Sequence, residues 1–239
     1  LIAIPSLNKS SLKKIINPLK KLNITVMRIP SFKEITNNKS DLDSLKPILI
    51  EDIVGRDTIP PDLNLLSSAV DNKVILITGA GGSIGSELSK TVLSQNPKLL
   101  VLLERNEPSL YKIKRELESK HQDKKIITIL GCASNLKLIE HTLSNFSINL
   151  VLHTAAYKHV PLVEENPLVG LENNIFSTMV ICEASQKFSI DKVVLISSDK
   201  AVRPTNIMGV SKRISELIVQ GFSDITSDKN NQTIFSIVR

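Results

Sequence analysis

From Lys73 onward the chain carries short apolar runs rich in β-branched residues and leucine: Val74–Thr78, Leu99–Leu103, Ile126–Leu130, Leu150–His153, Val193–Ser197 and Thr233–Val238. Each is too short for a buried helix and long enough for a strand. Between them, amphipathic stretches of helical length span about Ile84–Ser94, Pro108–Ser119, Leu136–Asn145, Pro167–Phe188 and Ile207–Gly221. Most of the strands are apolar nearly throughout, so they need cover on both faces, and alternation of such strands with helices is the signature of βαβ units. The pattern predicts an α/β fold, a doubly wound parallel-sheet Rossmann domain.

The first 60 residues read differently. Leu1–Ile4 is strand-like, Ser10 and Ser11 precede a helix at Leu12–Leu22 that Pro18 interrupts or kinks, and Ile24–Ile29 is a short strand stopped by Pro30. These are expected to be the C-terminal piece of a second Rossmann-like domain. A polar stretch at 31–47 and the Pro60-Pro61 pair then punctuate a connector. The expected organisation is 1–60 as the end of that upstream domain plus a linker, and 61–239 as the nucleotide-binding domain. The chain opens on Leu1 rather than methionine and directly on a strand-like run, which reads as a chain entered midway.

Composition narrows the field. With 239 residues, 41% hydrophobic and 23% charged, the chain can bury a sizeable core. No run reaches the roughly 18 to 20 apolar residues of a membrane-spanning helix. The net charge of +6 is concentrated at the start, where residues 1–60 hold ten Lys/Arg against six Asp/Glu. There is no Trp, only two Tyr and no Arg-rich run, so nucleic acid is not an expected partner, and Lys13, Lys14, Lys20 and Lys21 read as a solvated helix face. Cys132 and Cys182 form no CxxC pair, which fits a reducing compartment. His153 and His159 are six apart across a strand–loop junction, a spacing without metal chemistry, so no metal is expected.

The first strand runs straight into Thr78-Gly79-Ala80-Gly81-Gly82-Ser83-Ile84-Gly85 and then into a helix. Glycines at that junction allow a tight turn, close approach of backbone N–H groups to a pyrophosphate, and close helix–sheet packing. The candidate cofactor residues are therefore Thr78, Gly79, Gly82, Ser83, Ile84 and Gly85, and the cofactor is NAD or NADP. The second strand ends at Glu104-Arg105: a carboxylate there suits the ribose hydroxyls of NAD, an arginine the 2′-phosphate of NADP, and sequence leaves both open. Gly131-Cys132-Ala133-Ser134-Asn135 is expected to skirt the adenine, and Thr154-Ala155-Ala156 to approach the nicotinamide-side ribose.

Three ordered motifs, TGAGGSIGSEL at Thr78–Leu88, HTAAYKHVPLVEENP at His153–Pro167 and SSDKAVRPTNIMGVSKR at Ser197–Arg213, resemble the membrane-associated nucleotide-sugar 4,6-dehydratases of the CapD-like polysaccharide biosynthesis family, within the extended short-chain dehydrogenase/reductase superfamily. Ile48–Arg56 (ILIEDIVGR) resembles that family's interdomain linker. The resemblance implies a nucleotide-sugar substrate of the UDP-N-acetylglucosamine type, a homo-oligomer, an upstream region anchored in the inner membrane with this chain on its cytoplasmic side, and a downstream substrate-binding portion, both absent here, so that this chain alone is expected to bind a dinucleotide without turning over substrate. A 4-epimerase or reductase of the same superfamily, or a non-catalytic dinucleotide-binding domain, are the alternatives. Cys132 and Asn135 stand where an Asp is common, and Ser177 where a glycine is usual.

The superfamily's Tyr-x-x-x-Lys pair survives here as Met208-Gly209-Val210-Ser211-Lys212, and neither Tyr111 nor Tyr157 restores it. A thioether takes no proton, and the membrane-bound branch of the resembled family carries this methionine. By the same resemblance, Lys200 would remove the C5 proton, Asp199 would protonate the departing C6 hydroxyl, Ser198 and Met208 complete the catalytic group, and Lys212 holds the cofactor ribose. Lys158 and Asn174 are the expected substrate-binding residues.

Overall fold

The computed structural model describes Ser11, Ile15, Met27–Arg28, Lys46–Pro47, and residues 62–121, 123–227 and 233–239. Contacts divide the chain into Leu1–Pro61 and Asp62–Arg239. In the first unit Ser11 and Ile15 are helical and Met27–Arg28 pairs antiparallel with Lys46–Pro47. The strand expected at Leu1–Ile4, the rest of the Leu12–Leu22 helix, the remainder of Ile24–Ile29 and the linker Ile48–Arg56 lie outside the described residues.

The second unit begins with helix α1 (Leu63–Val70), whose first turn is capped by the Asp62 carboxylate accepting from the amides of Asn64 and Leu65. Six parallel strands follow: β1 (Val74–Thr78), β2 (Leu99–Glu104), β3 (Ile126–Leu130), β4 (Leu150–His153), β5 (Lys192–Ile196) and β6 (Ile234–Val238). Their spatial order is β3-β2-β1-β4-β5-β6, the doubly wound arrangement that the alternation of strands and helices predicts. β1 is buried at every position, as a central strand covered on both faces must be. Its side chains alternate between two cores. Val74 and Leu76 pack with Ile139, Leu143, Ile181 and Val219, whereas Ile75 and Ile77 pack with Val70, Val92, Leu93, Leu110 and Ile113.

The helices are α2 (Ser83–Ser94) and α3 (Glu107–Lys120) on the second of those faces, with α4 (Leu136–Phe146), α7 (Ser177–Lys187) and α8 (Ile207–Ser227) on the first. Right-handed crossovers force this split, because the chain winds one way from β1 to β3 and the other way from β4 to β6. The single helix expected at Pro167–Phe188 is instead α6 (Pro167–Leu171), a π-helical turn at Glu172–Phe176 and then α7, preceded by α5 (Val160–Glu165). The strand expected at Val193–Ser197 starts and stops one residue earlier: Lys192 already pairs with Leu150 and Ile234, and Ser197 lies past the last pair, Ile196 with Val238, with its side chain donating to Glu216. Among the described residues no helix is long and apolar enough to cross a membrane, and no group of three His, Cys, Asp or Glu is placed to hold a metal.

Candidate functional site

All six strands end on one edge of the sheet, and the connections leaving β1 and β4 diverge to opposite faces there, which opens a crevice. A cavity of about 570 Å³ fills it, walled by Gly79, Gly81–Gly85, Leu103–Asn106, Ser109, Gly131–Ala133, Thr154–His159, Asn173 and Ser177. The glycine turn forms its floor. Gly79 has φ +67°, and a Cβ there would lie 2.7 Å from the Ala155 backbone, so only glycine lets β1 and the loop after β4 come together. A Cβ on Gly85 would collide with the Gly79 carbonyl, which is how the first turn of α2 reaches the strand end. Gly82 is the N-cap of α2 and supplies no side-chain cap, so the first amides of the helix face the cavity without an internal competitor. A glycine cradle at a helix N-terminus, in a crevice of this volume, fits a dinucleotide.

Of the residues expected to hold a cofactor, Gly79, Gly82, Ser83, Ile84, Gly85, Glu104, Arg105, Ala155 and Ala156 line this cavity. Cys132, expected beside the adenine, lines it too, and Asn135 does not: its side chain caps α4 by accepting from the Leu138 amide. Thr78 is buried behind the wall rather than in it, with its hydroxyl 2.7 Å from His153 Nδ1. His153 also meets the Thr178 hydroxyl at 3.3 Å, and since Thr178 donates to the Asn174 carbonyl, the ring presents Nε2–H to Thr178 and accepts from Thr78 at Nδ1. Burial, and then the charge of Lys212, push the His153 pKa down to about 3, so this neutral imidazole is a structural clamp between β1, β4 and α7.

Lys158 reaches the cradle: its Nζ donates to Ser83 Oγ at 3.1 Å, at the mouth of α2. Asn174 does not line the cavity. Its side chain is buried, accepts from the Tyr157 amide at 2.7 Å, and donates to the Tyr157 carbonyl and to Ser211 Oγ, so it fixes the loop after β4 instead of facing a ligand. The π-helical turn places its neighbour Asn173 on the cavity wall, a residue that a continuous helix at Pro167–Phe188 does not single out. A smaller cavity of about 270 Å³ shares Tyr157, Lys158 and His159 and is otherwise walled by Leu162, Val163, Asn166, Val169 and Gly170.

The expected catalytic residues stand at the same sheet edge, after β5, but none lines the larger cavity. Ser198 caps a 3₁₀ turn at Asp199–Ala201, its hydroxyl accepting from the Lys200 amide and donating to Asp199. Asp199 and Lys200 lie 3.5 Å apart, with side chains 89% and 50% exposed. The Ser198 hydroxyl, and then the Lys200 charge, hold the Asp199 carboxyl below its usual range. Close packing joins this turn to α8, where a Cβ on Gly209 would lie 2.6 Å from the Lys200 carbonyl. Met208 and Lys212 are both buried on α8. Lys212 Nζ donates to the Ile196 carbonyl at 2.9 Å, and burial pushes its pKa down to about 8.

Two further groups escape the sequence reading. Glu164 on α5 accepts from the Ile207 amide at 2.6 Å and so ties the loop after β4 to the start of α8. Glu216 on α8 is buried and takes hydrogen bonds from Ser197, Arg213 and Arg239. A signal for it exists: Met208, Lys212, Ser215, Glu216 and Val219 share one face of a 3.6-residue helix, and that face is the buried one.

Comparison with known proteins adds a family. The model of a family described as "Polysaccharide biosynthesis protein" matches residues 75–239. The capsular polysaccharide biosynthesis protein CapD of Staphylococcus aureus is 35% identical over 240 residues, which cover 100% of this chain and 39% of that protein. The probable polysaccharide biosynthesis protein EpsC of Bacillus subtilis is 33% identical over 231 residues, covering 96% of this chain and 38% of EpsC. A UDP-N-acetylglucosamine 4,6-dehydratase (inverting) of Campylobacter jejuni is 28% identical over 170 residues, covering 71% of the chain and 48% of the relative. Among solved structures, Pen from Bacillus thuringiensis superposes with a TM-score of 0.64 at 30% identity, over 71% of this chain and 50% of Pen. The chain thus spans about two fifths of the length of CapD and EpsC.

Proposed function

The chain belongs to the polysaccharide biosynthesis protein family, and from that premise we propose that it carries the dinucleotide site and the acid–base pair of a nucleotide-sugar 4,6-dehydratase acting on a UDP-N-acetylglucosamine-type substrate. The observation that carries the reading is the glycine cradle at the β1–β4 crevice, with Asp199-Lys200 on the next strand end of the same edge. The Campylobacter relative supports the choice of reaction and sugar.

The residues that would hold NAD or NADP are Gly79, Gly82, Ser83, Ile84 and Gly85 at the pyrophosphate, Glu104 and Arg105 at the adenosine end, and Ala155, Ala156 and Lys158 toward the other end. When bound, the dinucleotide supplies reversible hydride acceptance, from the sugar's C4 and back to C6. The protein's own work is proton transfer and positioning. The ketone at C4 acidifies the C5 proton; Lys200 takes it, and Asp199 gives a proton to the C6 hydroxyl as it leaves as water. Exposed and 3.5 Å apart, Asp199 and Lys200 stand as an ion pair, so both roles require the sugar to cover the pair and, by desolvating it, to pass a proton from Lys200 to Asp199 before elimination, which leaves an amine free to take the C5 proton and a carboxylic acid ready to give its own. Lys212 stays where burial and the Ile196 carbonyl hold it, beneath the site.

The test is incubation of the whole protein, substrate-binding portion included, with UDP-N-acetylglucosamine and NAD or NADP, with mass spectrometry for a 4-keto-6-deoxy product lighter by one water. Asp199→Asn and Lys200→Ala should each lower its formation by about 10²-fold or more without loss of fold, because both side chains are solvent-facing. A C4 epimer with no loss of water would reassign the reaction, and near-normal turnover in either variant would reassign the proton transfers.

A further inference from the structure

We propose that Glu216, acting through Ser197, is a positioning residue for the proton-transfer pair Asp199 and Lys200; the inference rests on the dehydratase reading above. α8 meets the end of β5 at three levels along one of its faces. Gly209 has no Cβ to collide with the Lys200 carbonyl, Lys212 Nζ donates to the Ile196 carbonyl at 2.9 Å, and the Glu216 carboxylate accepts from Ser197 Oγ at 2.7 Å. Ser197 is thereby held twice, its hydroxyl by Glu216 and its amide by the Val238 carbonyl at 2.7 Å. An ionised carboxylate only accepts, so the hydroxyl proton has one direction to point. Glu216 is fixed in turn by Arg213 Nη1 and by Nε and Nη2 of Arg239, which keep the carboxylate from swinging away.

The next residue carries that constraint into the pair. Ser198 Oγ accepts from the Lys200 amide at 3.2 Å and donates to Asp199 Oδ1 at 3.0 Å, and the Ala201 and Val202 amides close the turn on the Ser198 and Asp199 carbonyls, each at 3.1 Å. Among the described residues neither the Asp199 nor the Lys200 side chain has a partner outside this turn, so the backbone of the turn sets their separation of 3.5 Å. A proton that passes from Lys200 to Asp199 depends on that separation. Stability alone does not call for a buried charge at this corner, because apolar side chains of similar volume join helix and strand as well. What the carboxylate adds is direction, fixed on the residue that leads into the pair.

Ser197→Ala in the whole protein tests the claim, because it removes the arm that reaches the pair and leaves Glu216 its three hydrogen bonds from arginine. Turnover of UDP-N-acetylglucosamine should fall about 10- to 100-fold with KM and dinucleotide affinity unchanged, since Ser197 does not line the cavity. Hydrogen exchange at the amides of residues 200–202 should rise, and Ser197→Thr, which keeps the hydroxyl, should recover most of the rate. If Ser197→Ala does not fold, Ser197→Cys, which keeps the size with a weaker donor, is read by the same split between kcat and KM. Unchanged kcat, unchanged exchange at 200–202, a loss carried by KM or by dinucleotide affinity, or a threonine variant no faster than alanine would overturn the inference and leave the dehydratase reading standing. No 4-keto-6-deoxy product from the unmodified protein would overturn that reading itself, and this inference with it.

Discussion

Glu216→Gln should destabilise the protein at neutral pH and have almost no effect in strong acid. The Glu216 side chain is 1% exposed and sits under four donors: Ser197 Oγ at 2.7 Å and Arg239 Nε at 2.8 Å on one oxygen, Arg213 Nη1 at 3.0 Å and Arg239 Nη2 at 2.8 Å on the other. The Arg239 guanidinium, with Ser197 and Arg213 behind it, overcomes burial and holds the carboxyl at about 2, against an ordinary 4.5. A carboxyl with that difference between folded and unfolded chains contributes about 3 kcal/mol at neutral pH. Because the Arg213 and Arg239 side chains keep 41% and 44% of their exposure, solvent screens part of it, and about 2 kcal/mol is the working figure. The folded-state pKa is depressed, so the contribution is complete above about 4.5 and fades as the pH falls toward about 2. Glutamine keeps the shape but turns an N–H₂ toward guanidinium donors. Urea unfolding of both proteins at a series of pH values from 7 to 3 should show a gap of about 2 kcal/mol that narrows steadily below 4.5. A gap of the same size at pH 7 and pH 3 would mean that packing and not charge holds this corner, and the reasoning would fail.

Gly85→Ala should place a methyl group against the Gly79 carbonyl, costing about 3 kcal/mol in thermal or urea unfolding and abolishing dinucleotide binding in any protein that still folds; unchanged affinity would show that the cradle is not the pyrophosphate seat. Glu164→Ala should cost about 1–2 kcal/mol by freeing the Ile207 amide at the head of α8, with Glu164→Gln recovering part of it, and hydrogen exchange at residues 207–209 should rise in the alanine variant alone. Unaltered exchange there would remove Glu164 as the tie between the loop after β4 and the start of α8.

The strands were legible because the sheet asks little of sequence beyond apolar side chains on both faces, and β1, buried at all five of its positions, is the extreme case. Their order follows from handedness, and the crevice from the order. The glycine turn was legible for a different reason: Gly79 and Gly85 answer to backbone collisions that no other residue survives. Side-chain commitments were not legible. Asn174 and Asn173 are adjacent and chemically identical, and only the π-helical turn decides which one faces the cavity. Glu104 and Arg105 are adjacent too, and the direction that the Arg105 side chain takes depends on a ring and an amide supplied from 52 and 68 positions away. α1 escaped because no Rossmann strand precedes it, and α5 because six residues with a proline in second place carry too little periodicity to be seen.

The central position of β1 has a cost during synthesis. β1 to β3 can pair as soon as they are made, but the other edge of β1 is completed only by β4, which lies about 70 residues further along the chain. At ribosomal rates of roughly 5–20 residues per second, the backbone of Ile75–Thr78 waits on the order of 4–14 s with one row of its hydrogen-bonding groups unpaired, in the strand that is buried at every position once folded. A nascent chain stalled near residue 145 should therefore be a stronger client of a trigger-factor-like holdase than one stalled past β5, and equal capture of the two would remove this edge as the vulnerable intermediate.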